Sequence, residues 1–182
     1  MRVAKCPWGM RQQSHRGLEL PIHSLEMHNA HIDISKGLDG EHVVFVCFDL
    51  REDEIAAAAH AVEATKAERY RNPRIEADDV VGMRELTALA DELGHALPPV
   101  EPADGVPPAE AEQAIAKMVF RPARVSVLRD AVAAFVESRD EAEWVAAEDR
   151  EPLALLRPML LPLEQLSADA VRAALSPESH AH

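Results

Sequence analysis

The chain has 182 residues, 47% of them hydrophobic and 28% charged, and its formal net charge is −13. That length suggests one domain, or two small ones sharing a core, and the hydrophobic fraction excludes wholesale disorder. The balance of 32 acidic against 19 basic residues argues against a nucleic-acid-binding surface, which needs clustered Lys and Arg. Two cysteines, Cys6 and Cys47, exclude a disulfide-stapled scaffold and a thiolate zinc finger.

The first 18 residues carry Arg2, Lys5, Arg11 and Arg16 and no acid. No apolar h-region follows, so this reads as a loose basic arm rather than a targeting segment. It leaves residues 19–182 with 15 basic and 32 acidic side chains, a net of −17. No apolar run reaches the roughly 18 residues that a membrane span needs. With no signal and little cysteine, a cytoplasmic protein is expected.

Residues 17–50 read as strands. Leu18, Leu20 and Ile22 alternate with polar positions or Pro21, as an edge strand would. Ile32 and Ile34 alternate with His31, Asp33 and Ser35, and Asp39-Gly40 supplies turn chemistry. Residues 43–48 form a run of β-formers fit for a covered central strand. A hairpin of residues 30–36 with 41–49 is expected, within a meander of about three antiparallel strands.

Helices take over next. Asp49 and Glu52 have capping-box spacing before a helix near 51–70, which Asn72-Pro73 ends. Met83, Leu86, Leu89, Ala90, Leu93 and Leu97 give the apolar face of a second helix near 78–96. Residues 98–108 hold five prolines and read as a stiff linker. A helix near 109–120 is expected next, with Ala111, Ile115, Met118 and Val119 inward. Another starts near Ser126 or Leu128, and Ser138 with Glu141 again has capping-box spacing. The segment 152–166 is apolar but holds Pro152, Pro158 and Pro162, which argue against one continuous helix. Ser167 is then placed to cap a short last helix. The expected organisation is an arm (1–16), a β-meander with two helices (17–97), a linker (98–108) and a helical subdomain (109–182).

Five of the nine histidines fall between residues 15 and 42. His28, His31 and Asp33 form H-x-x-H-x-D, and imidazole with carboxylate is a ligand set for zinc or a similar divalent transition metal. With the turn centred between Leu38 and Asp39, opposed residues sum to about 77. Ile32 then faces Phe45, and His31, Asp33 and His42 meet on one sheet face, with His28 or His23 nearby. A slip of one residue would scatter them. The competing reading is a set of solvated polar-face histidines. Asp91 and His95 share a helix face, where the dipole alone favours the histidine. His60 among alanines reads as a packed or surface residue. Cys47 reads as buried and inert. No glycine-rich phosphate loop or G-x-S-x-G elbow is present.

The leucine segment has two readings: it closes the core, or Leu156, Met159, Leu160 and Leu163 dock a second chain. The chain is therefore expected to be an α+β protein with an N-terminal three-stranded antiparallel sheet and a mostly helical C-terminal part. Its expected role is that of a non-enzymatic binding or accessory protein, a homo-oligomer or a subunit of an assembly, with no resident cofactor and no nucleic-acid or membrane partner. The alternative is a metal-binding protein or metal-dependent enzyme using the histidine cluster.

Overall fold

The computed structural model describes residues 28–37, 39–71, 77–97 and 115–175. In chain order these form β1 (His28–Lys36), β2 (His42–Arg51), α1 (Glu52–Arg71), α2 (Ala77–Ala96), β3 (Ile115–Phe120), α3 (Pro122–Asp140) and α4 (Ala147–Leu175). The three strands make one antiparallel sheet in the order β1-β2-β3. The architecture is α+β, as the alternation of patterns predicts. The expected strand near 18–22 lies outside the described residues, as do the linker 98–108, Cys6 and the C-terminal histidines.

The third strand comes from elsewhere. Residues 115–120, expected to finish a helix, are β3 and pair with β2 from Arg51↔Ile115 to Val46↔Phe120. Their burial alternates: Met118 and Phe120 are buried, whereas Ile115, Lys117 and Val119 are exposed. That period of two is the strand signature, and Ala116, Lys117 and Met118 concealed it because they are equally at home in a helix.

The β1–β2 hairpin forms with a register one residue from expectation. Ile32 stands opposite Val46 and Ile34 opposite Val44, so opposed numbers sum to 78. The turn explains it. Gly40 N–H donates to Gly37 O at 3.0 Å, Gly37 N–H donates to Glu41 O at 2.7 Å, and Gly40 takes φ of 84°. This is a three-residue loop with glycine in the left-handed position, not a two-residue turn. Asp39 Oδ1 accepts from Glu41 N–H at 3.1 Å and tightens it.

One sheet face builds the core. Val46, Phe48 and Leu50 of β2 and Met118 and Phe120 of β3 join a single apolar cluster with Ile55, Leu89, Leu93, Leu128 and Phe135 from α1, α2 and α3. Phe48 and Phe120 rings meet at 5.6 Å. The expected capping box is displaced: β2 continues to Arg51, and Glu54 Oε2 accepts from Arg51 N–H at 2.7 Å. Thr65 donates to Ala131 O, tying α1 to α3.

The leucine-rich segment is part of α4, a continuous helix of 29 residues with Pro152, Pro158 and Pro162 inside it. The expectation of a proline-broken segment is thus corrected. An interior proline costs about 3 kcal/mol, so Pro152, Pro158 and Pro162 together cost roughly 9 kcal/mol. Leu153, Leu156, Met159, Leu163 and Leu166 are buried at helical spacing. Each such side chain returns about 1.5–3 kcal/mol, so the five together return about 11 kcal/mol at mid-range, more than the proline cost. Ser167 does not cap a helix; it lies mid-helix and shares a hydrogen bond with Ser126 at 2.9 Å. α3 begins at Pro122, with proline in its first turn, and ends near the expected second capping box, where Glu141 N–H bonds Glu137 O. No helix among the described residues is long and apolar enough to cross a membrane.

Candidate functional site

The sheet has a second face, turned away from the core. Register places His31, Cys47 and Val119 in one row across it, Asp33 beside Phe45, Ser35 beside Val43, and Asp49 beside Lys117. Ile115 is 60% exposed and Val119 53% exposed on this face. Phe45 and Val43 are half-buried, and the Arg121 guanidinium lies 4.6 Å above the Phe45 ring. Polar groups surround this apolar centre.

The same register decides the fate of the histidine cluster. His31 and Asp33 share the outer face. His42 pairs with Lys36, whose parity puts it on the opposite face. The expected meeting of His31, Asp33 and His42 therefore does not occur. His28 enters the ladder opposite Asp49, with a bulge before His31. Asn29 makes that bulge with φ of 55° and anchors it by donating from Nδ2 to Asp49 Oδ2 at 2.6 Å. The His31 Nδ1–H in turn donates to Asn29 O at 2.8 Å, which leaves the acceptor lone pair of the neutral ring on Nε2. Among the described residues no group of three His, Cys, Asp or Glu side chains is placed to hold a metal ion.

Cys47 sits mid-strand in the outer-face row and is buried. Burial pushes its thiol pKa up, Asp33 and Asp49 add to the rise, and Lys117 partly opposes it. The thiolate is disfavoured, which makes this cysteine a poor nucleophile.

The partner-docking candidates on α4 lie mostly inside the chain. Leu156, Met159 and Leu163 have no exposed surface, and Leu160 is half-buried against the core. Their side chains complete this protein's own core. The large exposed apolar residues of α4 are Leu161, Val171 and Leu175.

His60 forms a polar cluster that sequence reading did not anticipate. Its Nε2–H donates to Asp149 Oδ1 at 2.7 Å, and Arg139 Nε donates to Asp149 Oδ2 at 3.0 Å. Arg139 also bonds Glu68 at 2.5 Å and lies over the Phe135 ring, which His60 meets edge-on. Three helices, α1, α3 and α4, thus converge on one carboxylate. Burial works to raise the Asp149 pKa, but the His60 and Arg139 hydrogen bonds and charges outweigh it and hold the carboxyl below its ordinary value. Arg139 is likewise held above its usual value, its bonds to Glu68 and Asp149 overcoming desolvation. No local signal joins His60 to Asp149, because 89 residues separate them.

Asp91 and His95 are close as expected, with His95 Nδ1–H donating to the Asp91 carbonyl at 2.5 Å. They border an open groove of about 500 Å³ between the end of α2 and β3. No protein-family model, curated protein or solved structure matches the chain.

Proposed function

We propose that this chain is a small, non-enzymatic binding or accessory protein that acts through protein–protein contacts or as a subunit of an assembly. The observation behind this reading is the outer sheet face, on which apolar residues are exposed among the described residues. Antiparallel sheets commonly turn a polar face to water, whereas this one exposes Val119 diagonally from the half-buried Phe45, with Ile115 further along β3 beyond the Asp49–Lys117 row. Apolar residues ringed by polar ones are the make-up of a contact surface. Asp33, Asp49, Lys117 and Arg121 supply the rim, and the acidic body favours a basic partner. A cytoplasmic location fits the free, buried thiol of Cys47.

A photo-crosslinking residue at Val119, on the outer face, and another at Glu143, in the α3–α4 connection, test the reading in cells. A discrete adduct from the Val119 position and none from Glu143 supports it. A strict monomer by sedimentation with no adduct from either position sinks it.

The alternative, a metal site built on His31 and Asp33, draws on one observation. The carbonyl bond at Nδ1 fixes the tautomer with its lone pair on Nε2, as metal-bound histidines are commonly held. Elemental analysis of the purified protein decides it, with His31→Ala as the control.

A further inference from the structure

We propose that the free edge of β3 is a docking groove for an extended, basic peptide segment of another protein, which adds to the sheet as a fourth strand. This deepens the binding role above and rests on it, naming the edge of the sheet rather than its outer face as the primary contact.

Among the described residues β3 has one strand neighbour, β2, so one side of its backbone ladder has no strand partner. The groove beside it holds about 500 Å³. Lys117, Met118, Val119 and Phe120 line one wall, and Asp91, Glu92, His95 and Ala96 from α2 line the other. The four strand residues are consecutive, and alternate residues of a strand face opposite sides of the sheet. A space touching all four lies against the strand's edge and not on either face. Such an edge takes an added strand about 4.8 Å away, held by main-chain hydrogen bonds.

Charge selects the occupant. The α2 wall presents Asp91 and Glu92, both exposed; Arg124 pairs with Glu92 at 3.4 Å and offsets its charge, so Asp91 sets the sign of this wall. Lys117 is the opposing cation, and it faces Asp49 across the β2–β3 ladder, which offsets its charge. A second copy of the chain would bring −13 towards −13 and set two acidic walls together. Residues 98–114 carry four acidic side chains, no basic one and five prolines, which cannot donate to a ladder. A basic strand satisfies both the edge and the charge, and the exchange measurement below separates a partner's strand from the chain's own basic residues 1–18.

The test uses three synthetic ten-residue peptides: valine alternating with lysine or arginine, the same alternation with glutamate, and the basic peptide with a central proline. Fluorescence anisotropy reads binding to the full chain, and hydrogen exchange reads protection of the 115–120 amides. The basic peptide is expected to bind at least about tenfold more tightly than the acidic or proline-containing one, and less tightly as salt rises. Asp91→Lys, a surface change checked for wild-type melting, is expected to abolish that preference. Equal binding of the acidic and basic peptides overturns the proposal. So does exchange at 115–120 that is already as slow as in β2, which assigns the edge to a segment of this chain, or that slows on self-association, which assigns it to a second copy. Basic-peptide binding without protection at 115–120 overturns the edge assignment and leaves the broader binding role standing. Loss of every partner contact in the Val119 crosslinking experiment removes both.

Discussion

His60 and Asp149, on α1 and at the start of α4, meet at 2.7 Å through Nε2–H and Oδ1, and Arg139 of α3 holds the other carboxylate oxygen at 3.0 Å. The carboxylate is nearly buried and fully engaged. Removing it leaves two donors without their acceptor. Asp149→Ala is expected to cost about 2–3 kcal/mol in equilibrium denaturation, near the upper range for charge-assisted bonds. His60→Ala, which keeps the Arg139 bond, is expected to cost about 1 kcal/mol. A double-mutant cycle giving no coupling between the two positions would contradict the shared-carboxylate geometry.

The same carboxylate sets a pH dependence. Its folded pKa lies below its unfolded value. The unfolded chain therefore binds the proton first as pH falls, and folding loses stability as pH drops below about 4, towards the depressed folded value. Above that window the contribution is complete. Asp149→Asn is expected to flatten the acid limb of a urea-midpoint-against-pH curve relative to wild type. An unchanged acid limb would refute the assignment.

The prolines of α4 give a second test. Pro158 lacks the N–H that would bond the carbonyl of Ala154, and it is half-buried. Pro158→Ala restores that bond and is expected to raise stability by about 1–2 kcal/mol, a part of the interior-proline cost being returned to unfolded-state freedom. Pro162 is buried, so Pro162→Ala also opens a void and is expected to gain less. Urea midpoints rank the two variants.

Core and surface positions on α4 separate cleanly. Leu156 is fully buried and Leu161 is 61% exposed. Leu156→Ala is expected to cost about 2–5 kcal/mol, and Leu161→Ala to stay within about 0.5 kcal/mol. Equal losses would show that α4 does not pack by this face.

Cys47 is expected to resist a soluble maleimide at neutral pH, in a Cys6→Ser background, and to react on unfolding. Its burial and raised thiol pKa both act in that direction. Rapid labelling of the native protein would place the thiol at the surface.

Local pattern carried much of this fold. The three- and four-residue spacing of Leu86, Leu89 and Leu93 located α2 to within a residue of its bounds. Asp39-Gly40 located the hairpin turn, but whether two or three residues lie in the loop is a local choice that the strands' packing settles. That single residue moved His42 to the opposite face from His31. Ile115, Met118 and Val119 mimic a helical stripe in isolation; pairing with β2 made them a strand.

The α+β class, the places of α1 and α2, the hairpin and the acidic body were legible along the chain, because each rests on a periodicity or a charge count that near neighbours set. Long-range packing set the second partner strand of β2, the register, the continuity of α4 through three prolines and the meeting of His60 with Asp149. Those outcomes depend on burial and on bonds between residues far apart in the chain, where a few kcal/mol of packing overrides local preference.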